Sequence, residues 1–235
     1  MYVIQHWPTQ MIDTWMVPAY DDHFHTQFDQ RGAYQIKQRK QAINACGPRR
    51  HVVDVGANIG LWARDFCRWF HNVTLFEPDP HNCHCLAHNL RHKSNWHLNP
   101  VALGSQPGVV TLYGAVDQCG NRSVHSSAGP VAQTVSVQTM DSYNLSNVDL
   151  IKLDTQGSEL DILKGAVQTI LNCQPVLCVE MSANSAEDLD RHRNIQHLLG
   201  QLDYVPTGGI KKDKIFTPRG QLSEDRRRRL DMLSR

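Results

Sequence analysis

Short apolar runs of strand length alternate along most of this chain with longer segments whose apolar residues recur every three or four positions. Residues 51–55 (HVVDV), 73–76 (VTLF), 148–153 (VDLIKL) and 175–179 (PVLCV) are runs rich in valine and leucine. Such runs suit strands buried on both faces. Residues 59–70 put Leu61, Trp62, Phe66, Trp69 and Phe70 on one helical face, and residues 158–171 do the same with Leu160, Ile162, Leu163, Val167 and Ile170. Further helices are predicted over 32–46, stopped by Gly47-Pro48, from Pro80 or His81 to residue 90, and over 192–202. Residues 96–103 hold another strand, broken by Gly104, while 109–113 and 134–138 alternate as strands do. Tyr204-Val205 and Lys214 to Phe216 predict a closing hairpin around Gly208-Gly209.

Strands alternating with helices predict an α/β fold, a mostly parallel sheet with helices on both faces. Ligands of such sheets sit at the carboxyl ends of the strands. Here those ends carry Asp54, Glu77, Leu103, Asp154 and Glu180, of which only Leu103 is not a carboxylate. Residues 1–31 lack periodicity and read as an irregular arm or lid, residues 32–218 as the ligand-binding domain, and 219–235 as a charged tail. The polar stretch 114–130 is long enough for a functional loop.

Composition narrows the partners. A net charge of +1 over 235 residues asks for neither nucleic acid nor an anionic membrane. No apolar run reaches the length of a membrane span, and the first residues lack a secretory signal pattern. Seven cysteines in no framework spacing predict free thiols and a cytoplasmic location. His81, His84, Cys85 and His88 share one helical face, but one helix cannot wrap a tetrahedral metal, so a solvated face is expected and no metal. The four arginines from 226 to 229, offset by Glu224, Asp225 and Asp231, read as a solvated tail. RGAYQIKQRK, residues 31–40, is either a lid over the site or an ordinary amphipathic helix.

The candidate chemistry starts at HVVDVGANIG. Its Asp-x-Gly-x-x-x-Gly spacing is not the Gly-x-Gly-x-x-Gly that cradles a pyrophosphate. Asp54 at the strand end repels phosphate and favours a ligand with an ammonium group, which points to S-adenosylmethionine (SAM) rather than NAD. Glu77, about 20 residues on, suits the two hydroxyls of a ribose. Asp154 could orient an attacking hydroxyl or accept its proton. Glu159 either shares that work or caps its helix. Glu180 is a second candidate for handling substrate or proton.

Taken in order, VVDVGANIGLW, TLFEPDP, NPVALG, the loop around Asn121, VSVQTMDSY, DLIKLDTQGSELDILKGA and PVLCVEMS resemble the FkbM family of SAM-dependent methyltransferases, from about residue 52 to 216. The resemblance implies a Rossmann-like class I methyltransferase fold with a seven-stranded sheet, SAM as cofactor, and O-methylation of a hydroxyl on a sugar, glycan or other small metabolite. It implies that Asp54, Gly56, Ala57, Asn58 and Gly60 hold the methionine part, Glu77 with Pro78 the ribose, and Ala102 and Leu103 the adenine. Asp154 would then face the acceptor. Family members commonly carry Glu where this chain has Gln156. Two alternatives stand beside this reading. One is an RNA ribose 2'-O-methyltransferase, disfavoured because such enzymes place a lysine where this chain has Glu180. The other is a catalytically weak SAM-binding interaction module.

Overall fold

The computed structural model of the chain describes residues 8–19, 34–114 and 131–220. The chain begins with β1 (Thr9–Ile12), β2 (Trp15–Pro18), α1 (Ile36–Ala45), β3 (His51–Val55), α2 (Ala63–Trp69), β4 (Asn72–Phe76) and α3 (Pro80–Asn89). There follow β5 (Trp96–Asn99), β6 (Ala102–Leu103), β7 (Gly108–Gly114), β8 (Val131–Gln138), a 3-10 turn (Met140–Tyr143) and β9 (Val148–Leu153). The last elements are α4 (Glu159–Lys164), α5 (Val167–Cys173), β10 (Val176–Glu180), α6 (Ala186–Gln201), β11 (Tyr204–Ile210) and β12 (Asp213–Pro218).

Seven strands form one sheet in the order β11-β12-β10-β9-β3-β4-β5. β10, β9, β3, β4 and β5 are parallel, and β12 returns antiparallel between β10 and β11. The chain leaves β3 toward β4 and β5, then crosses to β9 on the other side. The strand order therefore reverses between β3 and β9, and the crevice at their carboxyl ends is where such sheets bind ligands.

Alternation along the strands divides the core in two. Val52, Leu150, Cys178 and Ile215 pack with residues of α1, α2 and α3 such as Ala42, Phe66 and Leu86. Val53, Ile151, Leu177 and Phe216 pack with residues of α4, α5 and α6 such as Ile162, Ile170 and Leu199. The same pleat puts Asp54, Lys152, Glu180 and Asp213 on the α1 side. Asp54 faces Lys152 in register across β3 and β9, and Glu180 faces Asp213 across β10 and β12.

Several elements differ from the expectation. The strand over 96–103 divides at Pro100, which has no N–H for a ladder. β5 stays in the main sheet, whereas β6 joins β8 and β7 in a separate sheet of three. The helix over 158–171 breaks at Gly165, whose missing side chain lets the backbone touch Gly104; a Cβ there would lie 2.0 Å from the Gly104 carbonyl oxygen. Asp141 restarts the helix by accepting from the N–H groups of Gln168 and Thr169 at 3.0 and 2.8 Å. The closing hairpin turns at Lys211-Lys212, and Gly208-Gly209 lie inside β11 beside a bulge. α6 starts six residues early because Ser185 and Asp188 form a capping box.

Residues 9–18, read as irregular, pair as a hairpin. His81 and Cys85, expected on a solvated face, are buried, and His81 Nε2 meets the Pro8 carbonyl at 2.9 Å. The polar loop over 115–130 and the arginine run lie outside the described residues. Among the described residues no helix is long and apolar enough to cross a membrane.

Candidate active site

Gly56 sets the floor of the site. Its φ of 75° is a left-handed conformation that favours glycine. Its N–H and that of Ala57 bond the Phe76 carbonyl at 3.0 and 3.1 Å, tying the turn to the end of β4. A Cβ at this position would lie 2.0 Å from the Asp154 carbonyl oxygen, so only glycine lets the ends of β3 and β9 come together. Two cavities open on this floor. One, of about 420 Å³, has an apolar wall of Phe76, Leu103, Val109, Val137 and Ile162 with Glu77 in it. The other, of about 630 Å³, is more polar and is lined by Tyr34, Gln38, Trp62, Asn184 and Lys212 among others. Gly56, Asn58, Asp154 and Gln156 belong to both walls.

Beneath the shared wall runs a line of buried charges. Lys152 Nζ lies 3.0 Å from Asp54 Oδ1 and 3.8 Å from Asp154 Oδ2. It donates to the Gly56 carbonyl at 3.1 Å and sits 5.5 Å from the Trp62 ring centre. Burial works against its charge, but the carboxylates of Asp54 and Asp154 outweigh it and hold the ammonium above the usual lysine range. Burial raises Asp54, and Lys152 only partly offsets this. The Gln156 side-chain amide donates to Asp154 Oδ1 at 3.3 Å and to Glu180 Oε2 at 3.2 Å. Gln156 itself holds a left-handed backbone, φ 56°, just before Gly157. Glu180 Oε1 pairs with Lys212 and accepts from Ser182 Oγ at 3.0 Å. Burial and the neighbouring Asp154 push Glu180 up to about 8. Asp154 moves the other way: burial opposes its charge, but Lys152, the hydrogen bond with Glu180, and Lys212 hold it below the usual aspartate range.

Glu77 has a different setting. Oε2 accepts from the Asn58 N–H at 2.7 Å, and Oε1 accepts from the Asp79 N–H at 3.0 Å and the Asn82 amide at 3.3 Å. Burial first, then the Asp79 carboxylate, push it up to about 7.

With this geometry in view, the family match is decisive. The family model of the methyltransferase FkbM domain matches residues 54–206. The chain belongs to the FkbM methyltransferase family. Among solved structures it is similar to methyltransferase FkbM from Methylobacillus flagellatus, at 22% identity over 72% of this chain, with a TM-score of 0.52. The chain spans 43% of that protein's length. It is also similar to a precorrin-6y C5,15-methyltransferase from Geobacter metallireducens (13% identity, 84% of this chain and 95% of that one, TM-score 0.48). A methyltransferase from Geobacter sulfurreducens matches at 13% identity over 83% of this chain and 80% of its own, with a TM-score of 0.46. No curated protein matches the chain.

The residues lining the cavities fit SAM, the donor expected from the sequence. The apolar cavity suits a flat base. Glu77, with three N–H donors on it, has room for a further one, since a carboxylate offers about four acceptor positions. The cleft that Gly56 opens leads from there to Asp154.

The sequence-chosen residues separate into three groups. Gly56, Asn58, Glu77, Pro78, Ala102, Leu103 and Asp154 line the apolar cavity, and Ala57 lines the polar one. Asp54 and Glu180 stand behind the walls, holding Lys152 and Gln156. Gly60 and Glu159 line neither cavity. Gly60, φ 90°, packs its α-carbon toward Leu86 and Leu90 of α3. The Glu159 carboxylate accepts from the Thr155 N–H at 2.9 Å, the Thr155 hydroxyl at 3.0 Å and the Gly157 N–H at 3.1 Å, bracing the loop. Lys152 and Lys212 escaped the sequence reading. The first had a signal: a lysine two residues before Asp154 in a strand buried on both faces needs a buried anion beside it.

Proposed function

We propose that this chain transfers a methyl group from SAM to a hydroxyl of a sugar, glycan or other small metabolite, with Asp154 as the residue that receives the hydroxyl. One observation carries the reading: Asp154 is a wall of both cavities, so a donor in the apolar one and an acceptor in the polar one would meet at its carboxylate. SAM supplies an electrophilic methyl group on a sulfonium. The rest is alignment. Asp154, kept ionised by Lys152, accepts the hydrogen bond of the attacking hydroxyl and aims its lone pair. The hydroxyl's proton would pass to Asp154 as its oxygen takes the methyl carbon and the carbon–sulfur bond breaks, leaving the methyl ether and the thioether product. Gln156 and Lys152 hold the carboxylate in place. The polar cavity, with Tyr34, Gln35, Gln38, Ser182 and Asn184, offers amide and hydroxyl groups of the kind that bind a polyol. We place the protein in the cytoplasm, since the described cysteines are unpaired.

The test is transfer of labelled methyl from SAM onto a panel of sugars, glycans and capped RNAs. Label on a sugar or glycan hydroxyl, lost in Asp154→Asn, supports the reading. Label on RNA alone, or SAM binding without transfer to any acceptor, overturns it.

A further inference from the structure

Seven titratable groups crowd the α1 side of the sheet at its carboxyl end. Asp54, Lys152 and Asp154 come from β3, β9 and the residue after it. Glu180 ends β10, Lys212 sits in the turn before β12, and Asp213 starts β12. Tyr34 approaches from the residues before α1 and lines the same cavity. All but Lys212 and Tyr34 are buried or nearly so. The groups around Glu180 are therefore Lys152 from β9 and Asp154 just after it, Lys212 and Asp213 from the last hairpin, Tyr34 from the residues before α1, and the uncharged Gln156 and Ser182. With all ionised, four carboxylates meet two ammonium groups. Tyr34 stays neutral, since burial and Asp154 push it up to about 12. The assembly thus lacks positive charge, in a place that water reaches poorly. The shortage raises the carboxyls: burial and Asp154 push Asp213 up to about 6 and Glu180 higher.

SAM and its product, S-adenosylhomocysteine (SAH), differ by one methyl group and one positive charge on sulfur. We propose that the Glu180 carboxyl holds a proton while the site is empty or contains SAH, and releases it to solvent through the polar cavity when the SAM sulfonium binds. One cation then replaces another: protonated enzyme plus SAM gives the SAM complex plus a free proton. The site tells donor from product by charge, and methyl transfer, which removes that charge, loosens the product. This rests on the donor site described above and goes beyond it. Glu77 does not confuse the comparison, because it faces the nucleoside cavity and so the part that SAM and SAH share.

Calorimetric titration with SAM and with SAH from about pH 6 to about pH 9, in buffers of different ionisation enthalpy, reads this without an acceptor. The ratio of the SAH to the SAM dissociation constant should rise at least about tenfold over that range, with one more proton released on SAM binding than on SAH binding. Glu180→Gln, neutral at every pH, should flatten the ratio and make proton release equal for the two nucleosides while still binding SAH. Asp213→Asn should keep the step. A flat ratio in the natural protein, or a step that survives in Glu180→Gln, overturns the proposal and leaves the donor site standing. Failure of both nucleosides to bind the natural protein overturns the donor site and the proposal together.

Discussion

Lys152 and Asp54 stand opposite each other on adjacent strands, Nζ 3.0 Å from Oδ1, with side chains 5% and 0% exposed. The pair costs desolvation on both sides, so its net value to the fold is small, but removing one member is another matter. Lys152→Met strands the Asp54 carboxylate, whose Oδ2 has no hydrogen-bond partner among the described residues. Urea unfolding should show a loss of about 3–5 kcal/mol. The double variant Asp54→Asn with Lys152→Met should regain most of it, and an equal loss in single and double variants would mean that packing, not charge, holds this place.

Gly56 has no tolerable substitute. Gly56→Ala places a Cβ where the Asp154 carbonyl oxygen lies, 2.0 Å away, in a backbone conformation that L-residues resist. The ends of β3 and β9 must part, which moves the wall that both cavities share. SAH binding by calorimetry should fall at least about tenfold, since a displaced wall forfeits roughly 1.4 kcal/mol or more of contact. Gly60→Ala is strained too, at φ 90°, but its added carbon meets only ordinary contacts, Leu86 Cγ and Leu90 Cγ at 3.5 and 3.6 Å, away from both cavities, so SAH binding should fall less than in Gly56→Ala.

What could be read from the chain was whatever alternation and strand ends carry. Val52, Asp54 and Leu150, Lys152 repeat every second residue, so the buried pairing of Asp54 with Lys152 follows once β3 and β9 are neighbours. Glu180 was visible as a strand end. Its partners were not, because Lys212 and Asp213 reach it only through an antiparallel return whose turn falls at Lys211-Lys212, not at the nearby glycine pair that local turn chemistry favours. The break at Gly165 was hidden for the same reason: the apolar spacing over 158–171 runs through it, and only Gly104, far along the chain, shows why a side chain is excluded. Glu159 could be read as sharing the work of Asp154 or as capping its helix; a left-handed Gln156-Gly157 turn, invisible in the sequence, folds the loop's N–H groups back onto it.

Glu77 should impose a pH dependence on nucleoside binding. Burial, then Asp79, push it from 4.5 up to about 7, so near neutrality it is half protonated. A ribose hydroxyl donating to it favours the ionised form. SAH affinity should therefore rise as pH passes through about 7 and level off above. Stability runs in the opposite sense. The native carboxyl holds its proton more tightly than the unfolded one, so its contribution is complete below about 4.5 and is lost as pH rises through about 7, at no more than about 1.4 kcal/mol per pH unit. Glu77→Gln should bind SAH about 10- to 100-fold more weakly at pH 8 and show neither slope, as expected for loss of a hydrogen bond to a charged group worth about 1.5–3 kcal/mol. A binding curve that keeps its rise in Glu77→Gln would place the ribose elsewhere.

Asn89 ties the first hairpin to the cofactor loop. Its Oδ1 accepts from the Met16 N–H at 2.7 Å, and its amide donates to the Met16 carbonyl at 2.9 Å, continuing the hairpin's backbone pattern with a side chain. The same amide donates to the Ile59 carbonyl at 2.8 Å, in the turn between Gly56 and Gly60. Arg64 adds a second clasp, its guanidinium 4.7 Å from the Trp15 ring centre and bonded to the Thr14 hydroxyl at 3.0 Å. Asn89→Ala leaves two backbone groups of Met16 and one of Ile59 without this partner, at a cost of about 1–3 kcal/mol for each that stays buried. Hydrogen exchange should then quicken in both β2 and the loop after β3, and SAH should protect the loop less than in the natural protein. Arg64→Ala, which loosens the hairpin without touching Ile59, should quicken exchange in β2 alone. If both variants leave the loop's exchange unchanged, the hairpin and the cofactor turn are independent, and Asn89 serves the hairpin only.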